Sequence, residues 1–189
     1  MDRFPSSSLL AFLRLIDEEL AGRADILVIG GAAIAIAYSG WIHVTADIDV
    51  LDVEGSDFWA ACDRVRRKTP RSIPISRTTV ATTPHEYAER RVRVTGSEFK
   101  RLRLHVPERH DLAIMKVARG LDHDLASIAE IHERHPFDLD VLIARYRETV
   151  PYLIGVDPKH FTWAFLGLVS RIFGDAGVEA AEAALRKAK

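Results

Sequence analysis

Two short runs decide how this chain is read: Ile26-Leu27-Val28-Ile29-Gly30-Gly31 and, fifteen residues further on, Asp47-Ile48-Asp49-Val50-Leu51. The first is an apolar strand running into a glycine pair. The apolar residues after Gly31 continue as a helix to about Ser39, which Gly40 ends. A loop with Trp41, His43 and Thr45 then leads to a second strand, Asp47 to Val53. Alternate residues of a strand share a face, so Asp47 and Asp49 present two carboxylates side by side. Two like charges with no base between them gain nothing structurally, whereas a divalent cation removes the conflict, and carboxylate oxygens suit Mg²⁺. The glycine pair allows a tight turn and close approach of backbone to a ligand, and the helix start behind it offers N–H groups to phosphate.

Outward from this unit, Leu9, Leu10, Phe12, Leu13, Leu15, Ile16 and Leu20 give an amphipathic helix after Pro5, stopped near Gly22. Ser56 is a candidate cap for a helix to about Lys68 that buries Phe58, Ala61, Cys62 and Val65. Beyond the breaks at Pro70 and Pro74 the chain turns β-like, with strands expected over 90–95 and 100–106 around Gly96-Ser97. In the second strand Arg101, Arg103 and His105 alternate with Leu102, Leu104 and Val106. One face of that sheet is therefore apolar and the other basic. After Pro107 the pattern is helical, over about 108–119, 122–135, 138–147, 158–173 and 177–189. Leu112, Ile114, Met115 and Val117 bury one side of the first of these.

At 189 residues the chain can bury one full core, or one core with an appended helical part. Its hydrophobic and charged shares, 48% and 28%, are those of an ordinary globular protein. The apolar run around Tyr38 is too short and too interrupted by glycine to span a membrane, and the first residues show no secretory pattern. The single Cys62 excludes an internal disulfide and fits a reducing cytoplasm, where the chain is expected. Net charge is only −1, but between Arg64 and Arg103 twelve Lys/Arg face three glutamates. That imbalance invites a polyanionic partner, or else marks a solvated sheet face. If the segment is functional, Arg91 or Arg93 with Arg101 and Arg103 should form a positive track leading to Asp49.

Gly30-Gly31 after a strand, followed by Thr45-x-Asp47-x-Asp49 opening the next, resembles the DNA polymerase β-type nucleotidyltransferase pattern. A second block strengthens the likeness, from Glu108 through Lys116 and Arg119 to Asp124 and Ile128. The two together are most similar to the toxin branch, the AbiE-type abortive-infection toxins of type IV toxin–antitoxin pairs. The resemblance implies an α+β fold with a small mixed sheet: 1–107 as the nucleotidyltransferase core, and 108–189 as a helical part completing the active-site cleft, the two expected to form one continuous domain. It implies Mg²⁺ (or Mn²⁺) on Asp47 and Asp49, an NTP approached by Gly30, Gly31 and Thr45, and Lys116 with Arg119 on the phosphates. Asp124 would position Lys116 or serve as base or third acid. The acceptor would be a hydroxyl, with RNA, often tRNA, suggested by the toxin branch beside a cognate antitoxin. The chain departs from its relatives at Ser127, where a second acid is common, and at His43, where arginine is common. No third carboxylate is evident on the strand that ends at Val106. A catalytically impaired nucleotide- or RNA-binding module of the same fold is therefore the alternative. A zinc site at His132 and His135 lacks a third ligand by spacing, and no Gly-x-Ser-x-Gly elbow supports a serine hydrolase.

Overall fold

The computed structural model describes residues 2–38, 44–55, 57–69, 72–96 and 98–186. The expected positions Gly40, Trp41, His43, Ser56, Pro70 and Ser97, and the last three residues of the tail helix, lie outside the described residues. The chain divides into two compact units, Met1–Val80 with Arg90–Pro107, and Ala81–Glu89 with Glu108–Lys189. The short Ala81–Glu89 segment thus leaves the β-rich unit and belongs with the helices.

The first unit is α+β. Its elements are β1 (Phe4–Pro5), α1 (Ser6–Glu19), β2 (Ala24–Ile29), α2 (Gly30–Ala33) continuing as a π-helical stretch Ile34–Tyr38, β3 (Val44–Thr45), β4 (Ile48–Glu54), α3 (Phe58–Lys68), β5 (Ile75–Arg77), β6 (Val92–Arg93) and β7 (Leu102–Val106). Strands β5-β4-β2-β7-β6 form one mixed sheet; β2 runs antiparallel to β4 and parallel to β7. One face of that sheet is the core. Ile26, Val28, Ile48, Val50, Leu102 and Leu104 meet Leu9, Phe12, Leu13 and Ile16 of α1 and Phe58, Ala61, Cys62 and Val65 of α3. Both helices repeat apolar residues at the i, i+3, i+4, i+7 spacing that makes one buried stripe. Burial pushes the Cys62 thiol up to about 12, so it is packing and not a nucleophile.

Two connections that local pattern does not announce hold this unit in register. Asp17, buried on α1, accepts the backbone N–H groups of Lys100, Arg101 and Leu102 at 2.8, 2.7 and 2.6 Å. It thereby fixes the entry to β7 against α1. A β-bulge at Leu51 shifts the β2–β4 pairing, so that Leu27 faces Asp52 while Val28 faces Val50. Strict alternation would send Asp52 toward the core; the extra residue turns it, with Glu54, to the face that carries Asp49.

In the second unit α4 (Arg109–Arg119), α5 (Asp122–Arg134), α6 (Leu139–Thr149), a 3₁₀ turn (Val150–Tyr152) and α7 (Pro158–Arg186) pack together. The backbone of α7 breaks at Gly174, whose φ is 67° and ψ −165°. This is the break expected between two tail helices. Where one buried side was expected for α4, every residue from His110 to Ala118 is buried, so α4 is the central helix. Its polar members hid this from the sequence because each is matched: His110 accepts the Asp138 amide at 3.0 Å, and Asp111 lies 3.1 Å from Arg145. Tyr146 of α6 stacks on Phe161 and Phe165 and shares a 2.7 Å hydrogen bond with Thr162. His132 is structural as well, since its Nδ1 accepts the Phe137 amide at 3.0 Å and its ring packs on Phe137 and Phe173.

Candidate functional site

In the β-rich unit the chain leaves β2 through Gly30 with φ +67°, a conformation that side chains disfavour. The turn needs glycine for a second reason. Ile29 pairs with Asp49 across β2 and β4, and a Cβ at Gly30 would lie 3.4 Å from the Asp49 Oδ2. The carboxylate is thus held directly against the turn where the glycine pair opens α2. Its other oxygen accepts a 3.1 Å hydrogen bond from Ser76 Oγ, the residue opposite Asp49 in the parallel β4–β5 pairing. Asp47 immediately precedes β4, and its Oδ1 accepts from Thr45 Oγ1 at 3.5 Å. Thr45 is placed by β3, which pairs Phe4 with Thr45. Gly31 follows inside α2. Ser76 and the Phe4–Thr45 strap escaped sequence reasoning, because their partners stand 27 and 41 residues away and no local pattern marks them.

Asp49 in contact with a glycine turn, and Asp47 two residues before it, supply hard oxygen donors of the kind Mg²⁺ takes. This ion usually completes its shell with water and substrate phosphates, needing only one or two carboxylates from the protein. Among the described residues, no three His, Cys, Asp or Glu side chains converge to hold a metal ion on their own.

The helical unit holds the second set. Lys116 Nζ donates to Asp124 Oδ1 at 2.7 Å, and both side chains are buried, 5% and 0% exposed. Arg119 Nε donates to Asp124 Oδ2 at 2.9 Å, and its Nη2 donates to Oδ1. Burial alone would raise the Asp124 carboxyl, but the hydrogen bonds from Arg119 and Lys116 outweigh it and hold the group below the usual carboxylate range. Burial lowers the Lys116 amine, and its pairing with Asp124 offsets this only in part. Arg119 is half in water, with 53% of its side chain exposed, so it is the accessible one of the two cations. Ser127, where an acid was sought, donates its hydroxyl to the His123 carbonyl at 2.8 Å.

The positive track expected from Arg91, Arg93, Arg101 and Arg103 toward Asp49 is interrupted. Arg103 lies 3.9 Å from Asp25, and Arg91 3.8 Å from Glu54. Register explains this: Asp25 is opposite both Arg103 and Glu54, whereas Asp49 is opposite Ile29, four residues and about 13 Å along β2. The acids that neutralise the arginines reach that face through the parity of β2 and the bulge in β4. Buried His105 sits beside Asp25 at 4.0 Å, held below the ordinary histidine range by its burial and by Arg91 and Arg93. Three of the four basic residues of α3 are likewise engaged. Arg64 donates to the Glu19 carbonyl and lies 3.4 Å from Asp57, Arg66 donates to the Ile75 carbonyl, and Lys68 donates to Glu19.

No described helix is long and apolar enough to cross a membrane. No curated protein matches this chain, and no solved structure does. A family model, described as a nucleotidyltransferase of unknown function (DUF6036), matches residues 8–165, from within α1 into α7. That span takes in the Gly30 turn, both aspartates and the Lys116–Asp124 pair, and the chain belongs to this nucleotidyltransferase family.

Proposed function

We propose that this protein transfers a nucleoside monophosphate from an NTP to a hydroxyl of RNA, with tRNA as the leading class of acceptor. The observation that carries the reading is Asp49 held against the Gly30 turn. A carboxylate for a cation and a helix opening for phosphate meet there, which is what a metal-bound triphosphate requires. Asp47 and Asp49 would hold the ion, with Thr45 and Ser76 orienting their oxygens. When bound, Mg²⁺ (or Mn²⁺) supplies charge neutralisation and a lower pKa for the attacking hydroxyl. The hydroxyl oxygen forms a bond to the α-phosphorus, the bond to the bridging oxygen breaks, pyrophosphate leaves, and the hydroxyl proton passes to water. Gly30 and Gly31 let the backbone approach the β/γ-phosphates. Lys116 and Arg119 supply positive charge to phosphate oxygens. Asp124 has both oxygens occupied by those two cations, which suits a positioning role better than that of a base.

The likeness of the Lys116–Asp124 block to the AbiE-type branch supplies the setting: a toxin or phage-defence protein governed by a cognate antitoxin. The alternative is a nucleotide- or RNA-binding module that has lost catalysis. The observation in its favour is that no third carboxylate converges with Asp47 and Asp49 among the described residues. Incubation with each α-³²P-NTP, total RNA and Mg²⁺ separates the two. The transferase reading expects label on RNA that a chelator abolishes. Binding of NTP with no label on any acceptor, whichever NTP is offered, would establish the alternative.

A further inference from the structure

Several large apolar side chains of the helical unit stand in water, Ile154 and Trp163 furthest, and Trp163 alone among them lies on a long helix beside the α4–α5 corner. Trp163, in the first half of α7, is 71% exposed. Helical spacing puts it one turn from His160 on one side and from Gly167 on the other. Both neighbours face the α4–α5 corner. The His160 imidazole occupies the space that a side chain at Gly120 would fill, and a Cβ at Gly167 would meet Leu125 at 4.0 Å. Gly120 is the left-handed residue that ends α4, directly after Arg119. The indole therefore stands at the rim of the corner that carries Arg119, Leu121 and His123. Their exposure follows the same pattern: 53% and 72% of the Arg119 and His123 side chains are in water, and Leu121 is 47% exposed.

The chemistry of that rim is an aromatic face beside a guanidinium and imidazoles. Asp124 beneath it is already matched by Lys116 and Arg119, so it does not cancel an incoming anion in full. A purely apolar partner would waste the guanidinium and the imidazoles, and an inorganic anion would waste the indole. A nucleotide uses both, its base on the π-face and its phosphate on the arginine. We propose that Trp163, flanked by His160, is a stacking platform for one unpaired nucleotide whose phosphate is held by Arg119 and His123. The nucleotide is either the free NTP or an unpaired residue of an RNA strand. This deepens the transferase reading and takes its class of ligand from it.

The test is binding, measured on the full chain without added metal so that it does not depend on transfer. The probes are a fluorescently labelled unstructured RNA 12-mer, a blunt RNA duplex of the same composition, and each NTP by equilibrium dialysis. Trp163→Ala should weaken single-strand or NTP binding about tenfold, as loss of one stacked base implies, while Trp163→Phe keeps most of it. Duplex binding should not change. A loss confined to NTP, or confined to the single strand, identifies the source and upholds the platform. Unchanged affinity of Trp163→Ala for both probes overturns it. So does a wild type that binds neither, or a protein partner lost on Trp163→Ala while nucleotide binding stays intact. Because Trp163 is exposed, both variants should melt with the wild type, and melting curves check this. Trp163-dependent binding without any label transfer would defeat the transferase reading and leave the platform standing. Transfer with Trp163-independent binding would do the reverse.

Discussion

Replacing Asp124 by Asn removes the anionic partner of a buried amine. Lys116 is 4% exposed and its Nζ sits 2.7 Å from Asp124 Oδ1. Breaking a buried pair from one side costs about 3–5 kcal/mol, because the surviving charge is left in a poor solvent. For a chain of this size that corresponds to a fall of roughly 10 °C in Tm. Lys116→Met should cost less, about 1–3 kcal/mol, since Arg119 still engages both Asp124 oxygens and is half in water. The double variant Lys116→Met/Asp124→Leu removes both charges and fills the space with apolar atoms, so it should return to within about 2 kcal/mol of wild type. Urea unfolding followed by circular dichroism gives the three values, and the label-transfer assay is run on the same samples. A stable double variant with no transfer separates chemistry from folding. The reasoning fails if Asp124→Asn unfolds within about 1 kcal/mol of wild type, or if Lys116→Met is the more damaging single change.

Asp17→Ala strips three backbone N–H groups of a shared acceptor and should cost roughly 3–4 kcal/mol in the same urea assay. Burial would raise the Asp17 carboxyl, but those three bonds hold it below its ordinary 3.8. Its contribution is therefore present above 3.8 and lost as pH falls below it, so wild type and Asp17→Ala should converge in acid; a constant gap contradicts this. Gly30→Ala forces a side chain to φ +67° against Asp49 Oδ2 and should cost about 1–2 kcal/mol and most of the transfer activity. Gly22→Ala, with open space around it, is the control, and a Gly30→Ala protein as active as that control refutes the role given to the turn.

The strand–glycine–strand order was readable because each part has a local cause: apolar runs of strand length, a turn only glycine takes, and carboxylates at period two. Lys116 and Asp124 were singled out by the resemblance to the toxin-type block, and helix spacing added Arg119 one turn beyond Lys116 on the same face. What could not be read depended on distant partners. The α4 helix looked one-sided because His110, Asp111 and Lys116 are polar, and their burial is made possible by Asp138, Arg145 and Asp124. The strand expected over 90–95 narrows to Val92–Arg93. The basic alternation around Arg103 was real, but Asp25 meets it from a strand 78 residues away, and Glu54 reaches the same face through a bulge at Leu51 that alternation alone cannot place.

The central claim is that Asp49, held at the Gly30 turn, serves metal-dependent nucleotidyl transfer. Its most direct test is label transfer from α-³²P-NTP to RNA by wild type, Asp49→Asn and Glu54→Gln, with Mg²⁺ titrated in each. Glu54 shares the Asp49 face but is exposed beside Arg91, so Glu54→Gln should transfer like wild type. Asp49→Asn should melt within a few degrees of wild type and transfer at least about a hundredfold more slowly at every Mg²⁺ concentration. Equal transfer by Asp49→Asn and wild type would contradict the account.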